Sequence, residues 1–144
     1  MKDIITIENP AGYVDLKNSA ISRLVKWIFE FEKQPSWQIT VVFVDDEFMT
    51  NLNKRFFQKS RSTDVISFNL SEPKKAEGEI YISIDTAKRN SKRFGVTLDN
   101  ELFRLVAHGV YHLLDYDDTT DEGIRLMTAL ENKALAYIYS PADI

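Results

Sequence analysis

Apolar and polar residues alternate over positions 3–8, and Pro10, Ala11 and Gly12 then interrupt them, which predicts a short strand and a break. The spacing changes over 16–32. There Leu16, Ala20, Leu24, Ile28 and Phe31 recur at helical intervals, with Lys17, Arg23 and Lys26 outside, so a helix with one buried stripe is predicted. Residues 37–44 are rich in aromatic and β-branched side chains and read as a central strand. Asp45 is placed to cap a helix over 46–57, which carries Phe48, Leu52, Arg55 and Phe56 and runs into a basic stretch of Lys54, Arg55, Lys59 and Arg61.

Positions 63–70 predict another strand, 73–78 a loop and 79–83 its hairpin partner, with Ile80, Ile82 and Ile84 on the buried face. A helix over 85–94 follows. It carries Lys88, Arg89, Lys92 and Arg93 as two pairs four residues apart, and Gly95 is placed to end it. Thr97 can cap the next helix, which runs through Leu102, Leu105, Val106, Val110, Leu113 and Leu114. The last helix, over 121–139, offers Ile124, Met127, Leu130, Leu135 and Ile138 for packing, and Pro141 closes it. This pattern predicts one α+β domain over 1–144, a mixed and mostly four-stranded sheet packed with about five helices. Gly78 and Gly95 stand alone, which argues against a P-loop or a dinucleotide fold.

Composition narrows the function. The chain has 144 residues, enough for a real core without covalent staples, and no cysteine, so disulfides, thiolate metal sites and cysteine nucleophiles are excluded. The N-terminus lacks the apolar run of a signal peptide and no stretch is long enough to span a bilayer, so a soluble cytoplasmic protein without a membrane partner is expected. The net charge of -4 excludes a generally basic nucleic-acid coat. Even so, basic clusters over 54–61 and 88–93 are candidates to track a phosphate backbone, the alternative being plain solvated faces.

The chemistry centres on His108-Gly109-Val110-Tyr111-His112-Leu113-Leu114-Asp115-Tyr116-Asp117-Asp118. His108 and His112 are the chain's two histidines, and random placement would set them four apart roughly one time in seventy. Four residues advance a helix by one turn, about 6 Å, so both imidazoles reach one ion. The third ligand must come from the turn that follows. Asp118 lies six residues after His112 and repeats the spacing of zinc proteases with a third histidine after a turn; Asp117 is its rival. The competing reading is a hydrogen-bonded polar face in which Arg104 and His108 form a structural network. Gly109 stands where those proteases carry their glutamate base, which disfavours a peptidase. A zinc ion still lowers the pKa of its water to about 7, less so with a carboxylate ligand, and Asp118 leaves other divalent metals, manganese or iron, as alternatives. Because neutral imidazoles are required, any such site should empty as pH falls through about 6.5.

This stretch resembles the signature His-Gly-x-Leu-His-Leu-x-Gly-Tyr-Asp-His of the YbeY family, bacterial rRNA maturation factors with single-strand-specific metallo-endoribonuclease activity. Two further signatures are similar: Thr63-Asp64-Val65-Ile66-Ser67-Phe68 to Thr-Asp-Val-Leu-Ser-Phe, preceded by Leu52-Asn53, and Gly78-Glu79-Ile80 to Gly-Asp-Ile. The resemblance implies one zinc ion on a cleft face with the 63–68 strand on its wall. It also implies a role in maturing the 3′ end of 16S rRNA and in ribosome quality control, with single-stranded RNA and the small ribosomal subunit as partners. Three positions depart from the family pattern. Asp118 replaces the third ligand histidine, Asp115 replaces the glycine of the turn, and Phe57 stands where family members commonly have an arginine. Arg61 or Lys59 is the candidate to supply that charge to the phosphate. Thr63, Asp64, Ser67, Lys88 and Arg89 are the candidate substrate contacts, the alternatives for Thr63, Asp64 and Ser67 being to orient the metal ligands or only to satisfy backbone groups. The rival function is a ribosome-associated assembly or binding factor whose metal is structural and whose cleavage is slight.

Overall fold

The computed structural model describes residues 3–10, 15–57 and 63–140. Its elements in chain order are β1 (Ile4–Glu8), α1 (Asn18–Phe31), β2 (Trp37–Val44), α2 (Asp46–Phe57), β3 (Val65–Asn69), β4 (Ala76–Ser83), α3 (Ile84–Phe94), α4 (Leu98–Leu113) and α5 (Asp121–Ile138). The four strands form one mixed sheet in the order β1-β2-β4-β3. β2 lies parallel to both β1 and β4, and β3 closes the sheet antiparallel to β4. This is the α+β architecture that the hydrophobic pattern predicts, with its five helices and its hairpin.

Strand alternation divides the interior in two. Ile39, Val41 and Phe43 of β2, with Ile80 and Ile82 of β4, point toward α1, α4 and α5 and form the main core. Val42 and Val44 point the other way and pack with Met49 of α2 and Ile66 of β3. β3 follows the same rule. Ile66 and Phe68 face α2, while Val65, Ser67 and Asn69 turn toward α4, which places two polar side chains beside the histidine helix. The helix caps follow the sequence closely. Asp45, Thr97 and Thr120 accept from the backbone N–H groups of Phe48, Asn100 and Gly123, and Gly95 ends α3 at φ 68°.

Three sequence expectations require correction. Ala76, Glu77 and Gly78 belong to β4 and not to the preceding loop, because β2 offers a parallel partner along its whole length, from Trp37 opposite Ala76 to Val44 opposite Ser83. The turn is accordingly tight, a single bridge between Glu72 and Lys75. The stripe of α1 is Ile21, Leu24, Val25, Ile28 and Phe29, one step round from the expected one: Leu16 precedes the helix and Phe31 is exposed. In α5 Ile124 is exposed as well, and the buried face continues instead through Met127, Glu131, Ala134, Leu135 and Ile138.

Candidate metal centre

α4 is the most enclosed helix and positions the site. Its packing against the sheet depends on Gly109. A Cβ there would lie 2.6 Å from Cγ2 of the fully buried Ile80 and 3.1 Å from Ser67 Oγ. Position 109 therefore packs against the sheet, where a larger side chain would have to displace Ile80 and Ser67, in keeping with the absence of the glutamate base that disfavours a peptidase. Ser67 Oγ donates to the Gly109 carbonyl at 2.9 Å, and Asn69 Nδ2 donates to the Leu113 carbonyl at 3.4 Å. These two bonds fasten the last turns of α4 to β3. Gly109→Ala is expected to destabilise the fold by about 1–3 kcal/mol through overpacking, outweighing the roughly 0.5–1 kcal/mol of helix propensity it gains. A denaturant unfolding curve no less stable than wild type would contradict this packing.

On the adjoining face of α4 the two imidazoles meet. His112 Nε2 lies 2.9 Å from His108 Nε2, and Asp118 Oδ2 lies 3.4 Å from His108 Nε2 and 3.7 Å from His112 Nε2. Three donors around a tetrahedral ion with bonds of about 2.0–2.1 Å would stand about 3.3 Å apart, so the observed spacings bracket the requirement. The donor chemistry fits as well. Two imidazole nitrogens and a carboxylate oxygen converging this closely gain more from a shared cation than from one another. His108, His112 and Asp118 can therefore hold a metal ion.

The loop that delivers Asp118 explains two of the departures. Asp115 takes the left-handed conformation, at φ 69°, which aspartate tolerates better than most residues, so the chain still turns where the family pattern has glycine. Asp117 points elsewhere, accepting from Thr119 N and Thr119 Oγ1 at 2.9 Å each. It builds the turn, and Asp118 faces the histidines. Gly123 completes the seat, since a Cβ on it would collide with the Asp117 carbonyl.

A residue that the sequence reading missed holds His108 in place. Glu131 of α5 is buried, with Oε2 2.7 Å from His108 Nδ1 and Oε1 accepting from Arg104 Nη1 at 3.1 Å. With Nδ1–H donated to this carboxylate, Nε2 of His108 presents its lone pair to the metal position. The expected network joining Arg104 and His108 thus exists, through Glu131, and it fixes the ring whose Nε2 faces Asp118. Burial lowers the pKa of His108, but the hydrogen bond and charge of Glu131, with Asp118 and Asp64 beyond, outweigh it and raise the imidazole above its usual value. Protons therefore compete for this position from above the roughly 6.5 of a free imidazole. A glutamate amid the apolar spacing Met127, Glu131, Leu135 was the available signal, because a buried charge needs a partner.

Two clefts flank the pair of histidines. One, of about 430 Å³, runs from His112 and Leu113 to Phe57 and includes Asn53, Thr63 and Ser67. The other, of about 310 Å³, lies beside His108 and is lined by Asp64, Asn90, Arg93, Glu101, Arg104 and Glu131. Asn90 Nδ2 donates to Asp64 and to Glu101, and burial pushes the Glu101 carboxyl above its usual pKa. Thr63 and Ser67 thus sit on the first cleft and Asp64 on the second. Arg89 ion-pairs with Asp46 at 2.8 Å and Lys88 is exposed; neither lines either cleft. Lys59 and Arg61 lie outside the described residues.

Comparison with known proteins agrees with this geometry. The sequence profile of the family described as Endoribonuclease YbeY matches residues 6–139. The chain belongs to the YbeY endoribonuclease family. That family is one of metal-dependent RNA hydrolases, so the chain is an enzyme of this class, and the cluster of His108, His112 and Asp118 is a group that could hold a metal ion. Relatives named Endoribonuclease YbeY include one from Bacteroides fragilis, 31% identical over 122 residues that cover 85% of this chain and 88% of the relative. Another, from Chlorobium phaeobacteroides, is 32% identical over 120 residues, covering 83% and 87%. A solution structure of a Thermotoga maritima protein superposes with a TM-score of 0.66 at 25% identity, covering 96% of this chain and 89% of that one. Among the described residues no helix is long and apolar enough to cross a membrane.

Proposed function

We propose that this YbeY family member is a zinc-dependent endoribonuclease of single-stranded RNA that acts in the cytoplasm on the 3′ end of 16S rRNA, in company with the small ribosomal subunit, and serves ribosome quality control. The observation that carries the reading is the convergence of His108, His112 and Asp118 between two open clefts. Bound there, zinc supplies Lewis-acid charge beside the scissile phosphate and lowers the pKa of the attacking water or ribose 2′-hydroxyl. The chain's own residues do the rest. Glu131 fixes the orientation of His108, and Ser67 and Asn69 fix the turn that carries His112. On the cleft beside His108, Arg104 is paired with Glu131, and Arg93 is the cation assigned to oppose the charge that gathers on phosphoryl oxygens. Arg61 and Lys59 are assigned the same role from the 58–62 segment, Thr63, Asp64 and Ser67 that of cleft-wall substrate contacts, and Lys88 and Arg89 that of an outlying phosphate track.

An enzyme of this kind cuts unpaired RNA and spares the same sequence in a duplex, because a paired strand cannot enter a cleft of this size beside the metal. End-labelled RNA presented alone and annealed to its complement tests this. Cleavage confined to the unpaired form, weakening steeply as salt rises, is the expected result; equal cleavage of both forms would refute single-strand selectivity.

A further inference from the structure

The larger cleft has walls of unusual character for a nuclease. Its described lining residues include no lysine, arginine, aspartate or glutamate. Its outer wall is instead an aromatic ring. Phe57, the last residue of α2, is 47% exposed although it belongs to an aromatic cluster. Its ring stacks on Phe68 at 6.1 Å and 18°, and Phe68 in turn meets Phe56 edge-on at 5.1 Å and Tyr81 edge-on at 5.9 Å. The ring is thereby supported on one side and left open on the other. His112, whose Nε2 belongs to the candidate metal cluster, lines the same cleft.

We propose that this cleft is a subsite for one unpaired nucleobase of the RNA, stacked on Phe57 immediately beside the phosphodiester held at the metal; the proposal rests on the endoribonuclease reading above. Four observations lead to it. The volume, about 430 Å³, is within the roughly 300–1,000 Å³ of small-ligand sites and has no room for a base pair. The uncharged walls suit the neutral, flat part of a nucleotide. The supported aromatic face supplies the stacking that single-strand binders use. His112 joins the cleft to the reacting centre, so a base seated there leaves its own phosphate at the metal.

The polar groups of the cleft also define what the subsite does not do. Ser67 Oγ is committed to the Gly109 carbonyl, and Asn69 bonds the Leu113 carbonyl and Ser71 N; Asn53 and Thr63 are engaged too. Few groups are left to read a base edge, so the subsite accepts any of the four bases, with a preference set by stacking strength. The departure at position 57 then exchanges a charged grip on phosphate for a π-face grip on the neighbouring base.

The test compares wild type with Phe57→Ala, Phe57→Leu and Phe57→Trp. For single-stranded RNA of one defined cleavage site, Phe57→Ala and Phe57→Leu should raise KM roughly 5- to 150-fold, the range of one base–aromatic stack, with metal content unchanged. Phe57→Trp should restore it. Phe57→Leu keeps an apolar contact with Phe68, so a loss shared by both variants is not a loss of folding. An abasic nucleotide at the seated position should remove the difference between wild type and Phe57→Leu. As a readout free of cleavage, the indole introduced by Phe57→Trp should lose fluorescence on adding a short 2′-O-methyl oligonucleotide. Quenching without any cleavage by wild type would keep the subsite and overturn the nuclease reading. Cleavage that is equal in all four proteins would overturn the subsite and leave the nuclease reading intact.

Discussion

Asp118→Ala is expected to abolish both metal retention and RNA cleavage while leaving the fold unchanged. Asp118 contributes the only carboxylate oxygen among the three donors of the described cluster, and its contacts are with His108 and His112 at 3.4 and 3.7 Å. Loss of a group that merely supports a ligand costs about 10–100-fold in metal affinity, so loss of a ligand should exceed that. Asp118 caps no helix and packs in no core, so thermal unfolding of the metal-free protein should stay within about 0.5 kcal/mol of wild type. Asp117→Ala is the matched control. It removes the bonds to Thr119 and loosens the turn, and should lower affinity only modestly. Asp118→His, which restores the residue of the family signature, should recover metal binding. Chelator competition on the four proteins measures the affinities, with thermal unfolding and the RNA cleavage assay run beside it. Equal affinity in wild type and Asp118→Ala would remove Asp118 from the site.

Glu131→Ala should be the most damaging change outside the ligands. The carboxylate is buried and both oxygens are used, one by His108 and one by Arg104. Removing it strands the Arg104 guanidinium and frees the His108 ring. Breaking a buried pair in this way costs about 3–5 kcal/mol, and the lower end applies because Arg104 and His108 keep side-chain exposures of 30% and 22%. Glu131→Gln separates the two roles. Its amide keeps the shape but can accept from only one of the two donors through its single oxygen, so stability falls less while metal affinity still drops about 10–100-fold. Nitrogen-15 spectra of the histidine rings in metal-free protein supply an independent readout. The wild type should show His108 protonated on Nδ1, and Glu131→Gln should shift part of the population to Nε2. Unchanged spectra and affinity would show Glu131 to be packing alone.

The residues that sequence reading captured and missed divide along a physical line. His108, His112 and Asp118 were legible because one helical turn and one short loop fix their separation, and local geometry survives whatever the rest of the chain does. The caps at Asp45, Thr97 and Gly95 were legible for the same reason. The start of β4 was not. Ala76 to Gly78 look like a loop until β2 is laid beside them, and that pairing joins residues 39 positions apart, as Trp37 and Ala76 do. The shifted stripe of α1 has a similar origin: several phases of Leu16 to Phe31 place apolar residues on one side, and contact with α4 and α5 selects among them. Asn53, Glu101 and Glu131 carry the broader lesson. Each is a polar residue on the buried face of its helix, and each lines one of the two clefts beside the histidines. Polar residues that interrupt an apolar stripe were the mark of this site. They pass unnoticed when a helix is read only for its hydrophobic positions.

The central claim is that His108, His112 and Asp118 hold a metal ion on which RNA cleavage depends. Elemental analysis of the purified protein, together with a single-stranded RNA cleavage assay before chelation, after it and after zinc is returned, tests it most directly. One zinc per chain, with cleavage that disappears on chelation and comes back with the ion, is the predicted result. Cleavage that persists in metal-free protein, or zinc bound at one per chain with no cleavage of any unpaired RNA, would contradict it, and the second outcome would point to an assembly factor with a structural metal.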